Sequence, residues 1–256
     1  MTATYLYCIV KSAAKPSLAR VPAGLPGAER PRAVAVASTL WIILAEVPLD
    51  TYGPENLERH LSDLDWVGRI ALAHETVVEH FAHRAGATVI PMKLFTMFSS
   101  PARAVADITK RKTSITAAMR RIAGAEEWGI RVMRGVPSAV APVRAAKASS
   151  GAAFLAAKKQ ARDDAQRAKL AAAEVAVDAF ECLAAVARDA RRRDDAPAAG
   201  AAPPLLDAAF LVPASRRARF KSLAKREAAR CAEAGAQMTL SGPWPAYNFV
   251  QGDESR

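Results

Sequence analysis

The stretch TYLYCIV, residues 4–10, indicates how the chain begins to fold. It is β-branched and aromatic and carries no charge, which is typical of a strand buried on both faces. A loop rich in proline follows it, over residues 11–32. Residues 33–37 and 40–47 are two further strand-like runs, and the two residues between them predict a β-hairpin, although neither is a strong turn former.

Helices and one more strand complete the first half of the chain. Pro54 favours the start of a short helix, and Asp63 or Asp65 can cap a longer one that runs to about Ala85. Residues 88–98 are strand-like and contain a proline, which argues for an edge position or a bend. Ser100 then caps a helix that continues to about Ala123. The order β-β-β-α-α-β-α predicts an α+β domain with its helices on one face of a small sheet.

The second half has a different composition. A strand over residues 128–133 precedes an Ala-rich, proline-free segment that predicts one long helix over about residues 149–193. Its apolar residues in 3-4 alternation predict a coiled-coil seam, with packing expected mainly in the second half of the helix: Leu170, Ala173, Val177, Phe180, Ala184 and Ala187. After a linker, residues 208–212 form a strand, Ser215 caps a basic helix to about Ala234, and residues 237–240 form a last strand.

Two domains follow from the length of 256 residues and from this change of composition. We predict an N-terminal α+β domain over residues 1–124 and a C-terminal α+β domain over residues 125–256, which carries the long helix and ends in a Gly-Pro-Trp-Pro tail. The composition excludes several other classes. No apolar run reaches the roughly 18–20 residues of a membrane helix, and no secretory leader is visible. The three cysteines have no useful spacing, which favours buried thiols in a reducing cytoplasm.

The sequence contains few patterns that are typical of catalytic sites. The segment His74–His83 does not match a zincin, because the second histidine would have to stand at position 78, which is valine. Glu75, Glu79 and His83 share a helix face, and the alternatives are a metal site or, as we favour, a solvated face. No phosphate-binding loop or nucleophile elbow is present, and Cys8 lies in an apolar strand where a thiol is a poor nucleophile. We therefore expect no enzyme activity, no small-molecule substrate, no cofactor and no metal.

The net charge of +11 leaves one alternative open, a basic nucleic-acid-binding protein that uses the helix Arg216–Arg226. This helix has one aromatic residue and no recognised DNA- or RNA-binding motif around it. A charged, solvent-exposed helix face is the reading that we favour.

Six short patterns, in order, resemble the gas vesicle protein F/L family (GvpF/GvpL) over nearly the whole chain. Each pattern is weak by itself, and their order and spacing make the match specific. They are Tyr5–Val10 with Tyr7; Leu25-Pro26-Gly27; Trp66 followed by His74-Glu75; Val89–Thr96 with Pro91; Glu127-Trp128-Gly129 up to Val132; and Leu240–Val250 with Gly242-Pro243-Trp244-Pro245. The sequence departs from the family pattern at Cys8, where a small residue such as glycine is expected, and at Lys93 and Leu94, which replace an Arg-Phe-Gly-like run before Thr96.

The resemblance implies a non-catalytic accessory or minor structural protein of gas vesicles, located in the cytoplasm and associated with the vesicles. It implies binding to the hydrophobic shell protein (GvpA) and to other gas vesicle accessory proteins during assembly and nucleation, without a membrane. The implied fold is a ferredoxin-like N-terminal α+β domain followed by a C-terminal α+β domain that bears a coiled coil.

The matching motifs also have purely structural explanations. The two tyrosines and Trp128 suit core packing, and Pro91 suits a bend in the strand. The Gly-Pro-Trp-Pro tail either anchors the chain end to the body through Trp244, Tyr247 and Phe249, which we favour, or docks a partner. For the partner-binding surface our hypothesis is the edge region that contains Met92, Phe95, Met97 and Phe98, because apolar side chains cluster there beside a proline.

Overall fold

A computed structural model of the chain describes residues 1–135, 151–193 and 202–250. The chain forms two compact units, one containing Met1–Glu126 and the residues from Trp244 onwards, the other Glu127–Pro243. Each unit combines one β-sheet with helices, so the predicted α+β class is confirmed. In the described part of the chain, no helix has both the length and the apolar character needed to cross a membrane.

The first unit contains most of the elements predicted for the N-terminal half. They are β1 (Thr2–Lys11), β2 (Arg32–Ala37), β3 (Leu40–Pro48), α1 (Leu49–Tyr52), α2 (Pro54–His60), α3 (Leu64–Ala82), β4 (Thr88–Pro91), β5 (Met97–Phe98), α4 (Pro101–Lys110) and α5 (Lys112–Ile122). The Asp63 carboxylate caps α3 by accepting the backbone N–H groups of Asp65 and Trp66. The Ser100 hydroxyl caps α4 in the same way.

The sheet of the first unit has the strand order β2-β3-β1-β4. β5 pairs with Thr4 and Tyr5 of β1, whereas β4 pairs with Cys8–Lys11 of the same strand. β1 pairs antiparallel with β3, β4 and β5, and β2 and β3 form the predicted hairpin with an irregularity between Ala35 and Ala37. This is the strand order of a ferredoxin-like sheet, with a loop in place of the helix that usually follows the first strand. The stretch TYLYCIV lies in β1, at the centre of the sheet.

Helices cover both faces of this sheet, so the prediction of helices on one face is wrong. β1 is buried from Ala3 to Val10 because it has a helical layer on each side. On one side, the core includes Tyr5 and Tyr7 of β1 and Val77 and Phe81 of α3. α4 and α5 contact β1, β2 and β4 and bury their own apolar face, which includes Ile108 and Met119. Successive apolar side chains of β1 therefore pack against the helices on the two faces of the sheet.

Two predicted elements of the first unit are divided in the structure. The strand-like run over residues 88–98 forms β4 and β5, separated by a turn at which Phe95 has φ +64°. The helix predicted from Pro101 to about Ala123 is broken at Arg111 into α4 and α5. Both differences arise where an apolar pattern continues across a local change of backbone direction, which the pattern itself does not encode.

The second unit contains β6 (Ala125–Arg134), α6 (Gly151–Ala184), β7 (Asp189–Arg192), β8 (Leu206–Pro213), α7 (Arg217–Glu233) and β9 (Ala236–Trp244). Its sheet has the order β7-β8-β6-β9. Phe210 of β8 and Phe220 of α7 lie in the core, with ring centroids 5.6 Å apart. Ser215 does not cap α7 as predicted, since it lies in a short 3₁₀ turn and the helix begins at Arg217 without a side-chain cap.

The long helix is present but ends earlier than predicted. α6 stops at Ala184, and Asp189–Arg192 pairs with β8 as an edge strand instead of extending the helix to residue 193. Residues 149 and 150 of the prediction lie outside the described residues. The side chains of residues 152–171 are all exposed, in agreement with the expectation that packing involves the second half of the helix.

The buried stripe of α6 is not the predicted seam. Its buried side chains are Ala172, Ala176, Ala179 and Leu183, and Val186 directly after the helix is also buried. Leu170 and Val177 of the predicted seam are 59% and 39% exposed. The periodicity of three and four residues was right, and its position on the helix was wrong by about one residue. A coiled coil with another helix stays a prediction.

The domain boundary at residues 124 and 125 also stays a prediction. The compact units divide the chain at nearly the same place, between Glu126 and Glu127. They differ at the other end, because the residues from Trp244 onwards belong to the first unit whereas the sequence analysis assigned the whole tail to the second domain.

Candidate functional site

The two motif tyrosines of β1 meet the motif histidine of α3 in the buried core of the first unit. Tyr5 Oη lies 2.8 Å from His74 Nδ1, and the imidazole stacks on the Tyr7 ring with centroids 5.7 Å apart. The Phe95 backbone N–H donates to Tyr5 Oη at 3.4 Å. The Tyr5 hydroxyl therefore takes part in hydrogen bonds with both His74 and the Phe95 backbone.

Burial determines the ionisation of this cluster. It lowers the pKa of His74 to about 4, and the opposing effect of the Met92 backbone is smaller. It raises the pKa of Tyr7 to about 12 and also raises the pKa of Tyr5. The pKa of the Cys8 thiol is raised by burial as well, so this cysteine is not a nucleophile near neutral pH. The cluster is therefore neutral at pH 7.

Acid should destabilise the first unit through His74. The unfolded chain binds a proton at this residue with a pKa near 6.5 and the folded chain only near 4, so folding becomes less favourable as the pH falls between these values. At pH 5 we expect a loss of about 2 kcal/mol relative to pH 7 from this residue. Urea unfolding followed at both pH values, compared with His74→Gln, measures the difference. The same pH dependence in both proteins would contradict the assignment.

The motif Leu25-Pro26-Gly27 is held by two buried tyrosines. Tyr7 Oη accepts the Leu25 N–H at 3.0 Å, and Tyr52 Oη donates to the Pro26 carbonyl at 2.9 Å. The residue before the motif, Gly24, has φ +86°, and a Cβ there would lie 2.4 Å from Tyr7 Oη. The motif identified from the sequence includes Gly27 but not Gly24, although both glycines lie close to Pro26.

Trp66 forms an aromatic stack with a residue of the β4–β5 turn. Its ring lies parallel to Phe95, with centroids 5.9 Å apart, and it also stacks on His60. Phe95 has φ +64°, in the left-handed region that glycine favours and a bulky residue avoids. This position follows Lys93 and Leu94, where the sequence departs from an Arg-Phe-Gly-like run. The stack with Trp66 and the hydrogen bond to Tyr5 hold Phe95 in this conformation.

Pro91 lies where a proline fits an edge strand. Met92 N–H donates to the Tyr7 carbonyl at 2.9 Å, and Pro91 is the partner of Cys8 in the antiparallel register. Because backbone groups alternate in direction along a strand, those of Pro91 point away from β1. The missing N–H of Pro91 therefore removes a donor from the outer edge, which disfavours pairing of another strand there.

A cleft of about 820 Å³ lies beside this edge. Its walls are β4 and the following turn, helix α5, and the chain end near Tyr247 and Val250. Apolar side chains, including Met92 and Ile115, alternate with cations at positions 93, 111 and 121. The size and the mixed lining are typical of a surface that receives part of another molecule.

The chain end forms one wall of this cleft because it is fastened to the first unit. The Tyr247 hydroxyl donates to the Glu75 carboxylate, and the Arg121 guanidinium donates to the Phe249 carbonyl. The Phe249 side chain is fully buried. Trp244 is 42% exposed, so the aromatic residues after it provide the described contacts with this unit.

The four candidate partner-binding residues are all half-buried and do not form one surface. Met92 lines the cleft, and Phe95 packs on Trp66. Met97 and Phe98 form β5, opposite Tyr5 and Thr4. Thr96 closes the turn by donating its hydroxyl to the Lys93 carbonyl at 2.7 Å. Whether any of the four binds a partner stays a prediction.

The remaining motif residues lie in the second unit, where two motifs meet. Trp128 is buried against Phe220. Gly129 contacts the Ser241-Gly242-Pro243 segment closely, since a Cβ there would lie 2.6 Å from Ser241 Oγ unless that side chain rotated away. Glu127 is also buried, and Gly242 and Pro243 are joined by a cis peptide bond. Pro245 follows at the end of β9.

Close to this contact, Asp207 of β8 holds two arginines. Its carboxylate is nearly buried and accepts the Nε–H of Arg131 at 2.8 Å and the Nε–H of Arg193 at 2.7 Å. These two ion pairs connect β8 with β6 and with the residue that directly follows β7. The described residues contain no group of three His, Cys, Asp or Glu side chains placed to hold a metal ion.

These networks define a two-unit α+β protein in which the motif residues mainly fasten loops and strands to each other. Residues 3–251 match the family model described as gas vesicle synthesis protein GvpL/GvpF. The chain therefore belongs to the GvpL/GvpF family, and its role is related to gas vesicles.

Individual proteins agree with this assignment. Gas vesicle protein L of Streptomyces sp. (strain CB03234) is 27% identical over 233 residues, which is 88% of this chain and 84% of the relative. The crystal structure of GvpF from Anabaena sp. PCC7120 matches with a TM-score of 0.70 at 14% identity, over 99% of this chain and 98% of that one. GvpF from Microcystis aeruginosa matches with a TM-score of 0.65 at 15% identity, over 98% and 99%. The two structures show that the fold is shared.

Proposed function

We propose that this protein is a non-catalytic accessory protein that binds the small hydrophobic shell protein of gas vesicles (GvpA) in the cytoplasm and supports vesicle assembly. Membership of the GvpL/GvpF family supports a role in vesicle formation. The observation that carries the binding step is the cleft of about 820 Å³ beside β4.

The lining of the cleft suits a client that is mainly apolar. A protein that competes with self-association of such a client needs accessible apolar surface, and burial contributes about 25 cal/mol per Å² of apolar area. Half-buried Met92 offers such surface, next to the cations at positions 93, 111 and 121. Because Pro91 weakens the strand edge, the client is held by side chains in the cleft rather than by an added β-strand.

Placing a charge in the cleft should weaken capture of the shell protein. We expect Met92→Asp, and separately Ala117→Trp, which fills the cleft from exposed Ala117 of α5, to reduce co-purification with GvpA at least tenfold. The matched control is Leu72→Asp, because Leu72 is 67% exposed on α3 and does not line the cleft. Unchanged capture by both cleft variants, in proteins with unchanged circular dichroism, would reject this site.

A further inference from the structure

A second groove lies in the second unit, between helix α7 and strand β9. It measures about 640 Å³. Its floor is apolar and includes Ala224, Ala228, Met238 and Leu240. The groove lies wholly within one unit and shares no residue with the cleft beside β4.

One side of the groove is the edge of a sheet. Among the strands that the structure describes, β9 is the last in the order β7-β8-β6-β9. Its side chains alternate, with Met238 and Leu240 half-buried towards the groove and Gln237, Thr239 and Ser241 exposed. An edge strand without a neighbour presents backbone donors and acceptors that another strand can pair with.

The other side of the groove is a row of cations on α7. Arg217, Lys221 and Lys225 are four residues apart and line the groove, together with Ser222. Elsewhere on α7, Arg226 and Arg230 pair with the buried carboxylate of Glu227. The described residues that line the groove include no acidic side chain, so the lining does not balance the charges of Lys221 and Lys225.

We propose that this groove binds an extended, acidic segment of a partner protein, which adds to β9 as a further strand. Residues four apart on a helix are separated by about 6 Å along its axis. Alternate residues of a strand are separated by about 6.7 Å. Acidic side chains at every second position of the added strand therefore meet successive cations of the row, while its backbone pairs with β9.

The lining favours a peptide over a nucleic acid. A single-stranded nucleic acid is held by aromatic side chains on which the bases stack, and the lining of the groove contains none. The basic helix that the sequence analysis considered for nucleic acid thus becomes one wall of a peptide-binding groove, independently of the role proposed for the first unit.

The test uses the full chain and a fluorescent ten-residue peptide of alternating valine and glutamate. We expect binding by fluorescence anisotropy, weakened at least tenfold by Lys221→Glu with Lys225→Glu and weakened by added salt. Lys158→Glu with Lys159→Glu is the matched control, because it changes the net charge equally on the exposed part of α6. A second probe has the same composition with its glutamates in one block, and a third is a single-stranded DNA of the same length.

Each of the following outcomes either supports or overturns the proposed binding of an acidic strand. Loss of binding in the groove variant but not in the control, together with weaker binding of the block peptide, supports the proposal. Equal loss in both variants shows general charge attraction and overturns it, as does equal binding of the block peptide. DNA that binds more tightly and displaces the peptide assigns the row to nucleic acid. Lys225→Glu alone, which leaves the contact of Lys221 with the Trp128 ring intact, replaces the double variant if that one unfolds.

Discussion

Replacing Gly24 with alanine is expected to destabilise the first unit by about 3 kcal/mol or more. Part of this cost is in the backbone, because φ is +86° at this position and a side chain makes that conformation unfavourable by about 1–3 kcal/mol. The rest is steric, because the new Cβ would lie 2.4 Å from Tyr7 Oη. That hydroxyl cannot move away easily, since the ring is fully buried and the oxygen accepts the Leu25 N–H.

Two comparisons separate the parts of this effect. Gly86→Ala has a similar backbone strain, with φ +75°, but a Cβ there meets nothing within 4 Å, so it should cost only about 1 kcal/mol. Combining Gly24→Ala with Tyr7→Phe removes the clashing oxygen and should recover part of the loss. Native-state hydrogen exchange of the β1 amides measures the stability of this unit. Equal losses for the two glycine variants would show that the contact with Tyr7 is unimportant.

The parts of the fold that the sequence predicted are those whose residues carry a local signal. Residues 4–10 have the composition of a strand buried on both sides and form most of β1. Asp63 and Ser100 have the side chains that cap helices, and both do so. The proline at position 91 indicated an edge strand, and β4 is one.

Alanine content explains why the packing of α6 was not predicted correctly. In a helix with so many alanines, several stripes have the right spacing, and the larger residues at 170 and 177 favoured the wrong one. The structure instead buries the alanines at 172, 176 and 179, because small side chains allow close packing, with α7 and β8 in contact. The edge strand β7 was missed because its residues, DARR, have no strand propensity and are determined by pairing with β8.

Several residues of the candidate site could be identified from the sequence, but their contacts could not. Tyr5, Tyr7 and His74 were identified as motif residues, and no local pattern shows that they hydrogen-bond and stack with each other in the core. The positive φ of Phe95 could not be predicted, since it results from the stack with Trp66 and not from the residue itself. The cleft combines residues from β4, α5 and the chain end, which are far apart in the sequence.

Asp207→Ala is expected to destabilise the second unit by about 3 kcal/mol. Removing one partner of a buried ion pair costs about 3–5 kcal/mol when the remaining charge stays buried. Here the carboxylate is the buried group, whereas the Arg131 side chain is 61% exposed and can return to water, which places the cost at the lower end. Asp207→Asn should recover part of the stability, because the amide keeps one oxygen that accepts a hydrogen bond.

The matched control for Asp207 is another aspartate–arginine pair in the same unit. Asp164 and Arg167 form an ion pair on α6 in which both side chains are largely exposed. Asp164→Ala should therefore cost no more than about 0.5 kcal/mol, because exposed pairs are weak and screened. Hydrogen exchange of the β8 amides, which pair with β7 next to Asp207, measures both variants in the same way. If the two substitutions cost the same, burial of the carboxylate does not strengthen its interaction with Arg131 and Arg193, and the connection of β6, β7 and β8 depends on backbone pairing and apolar packing alone.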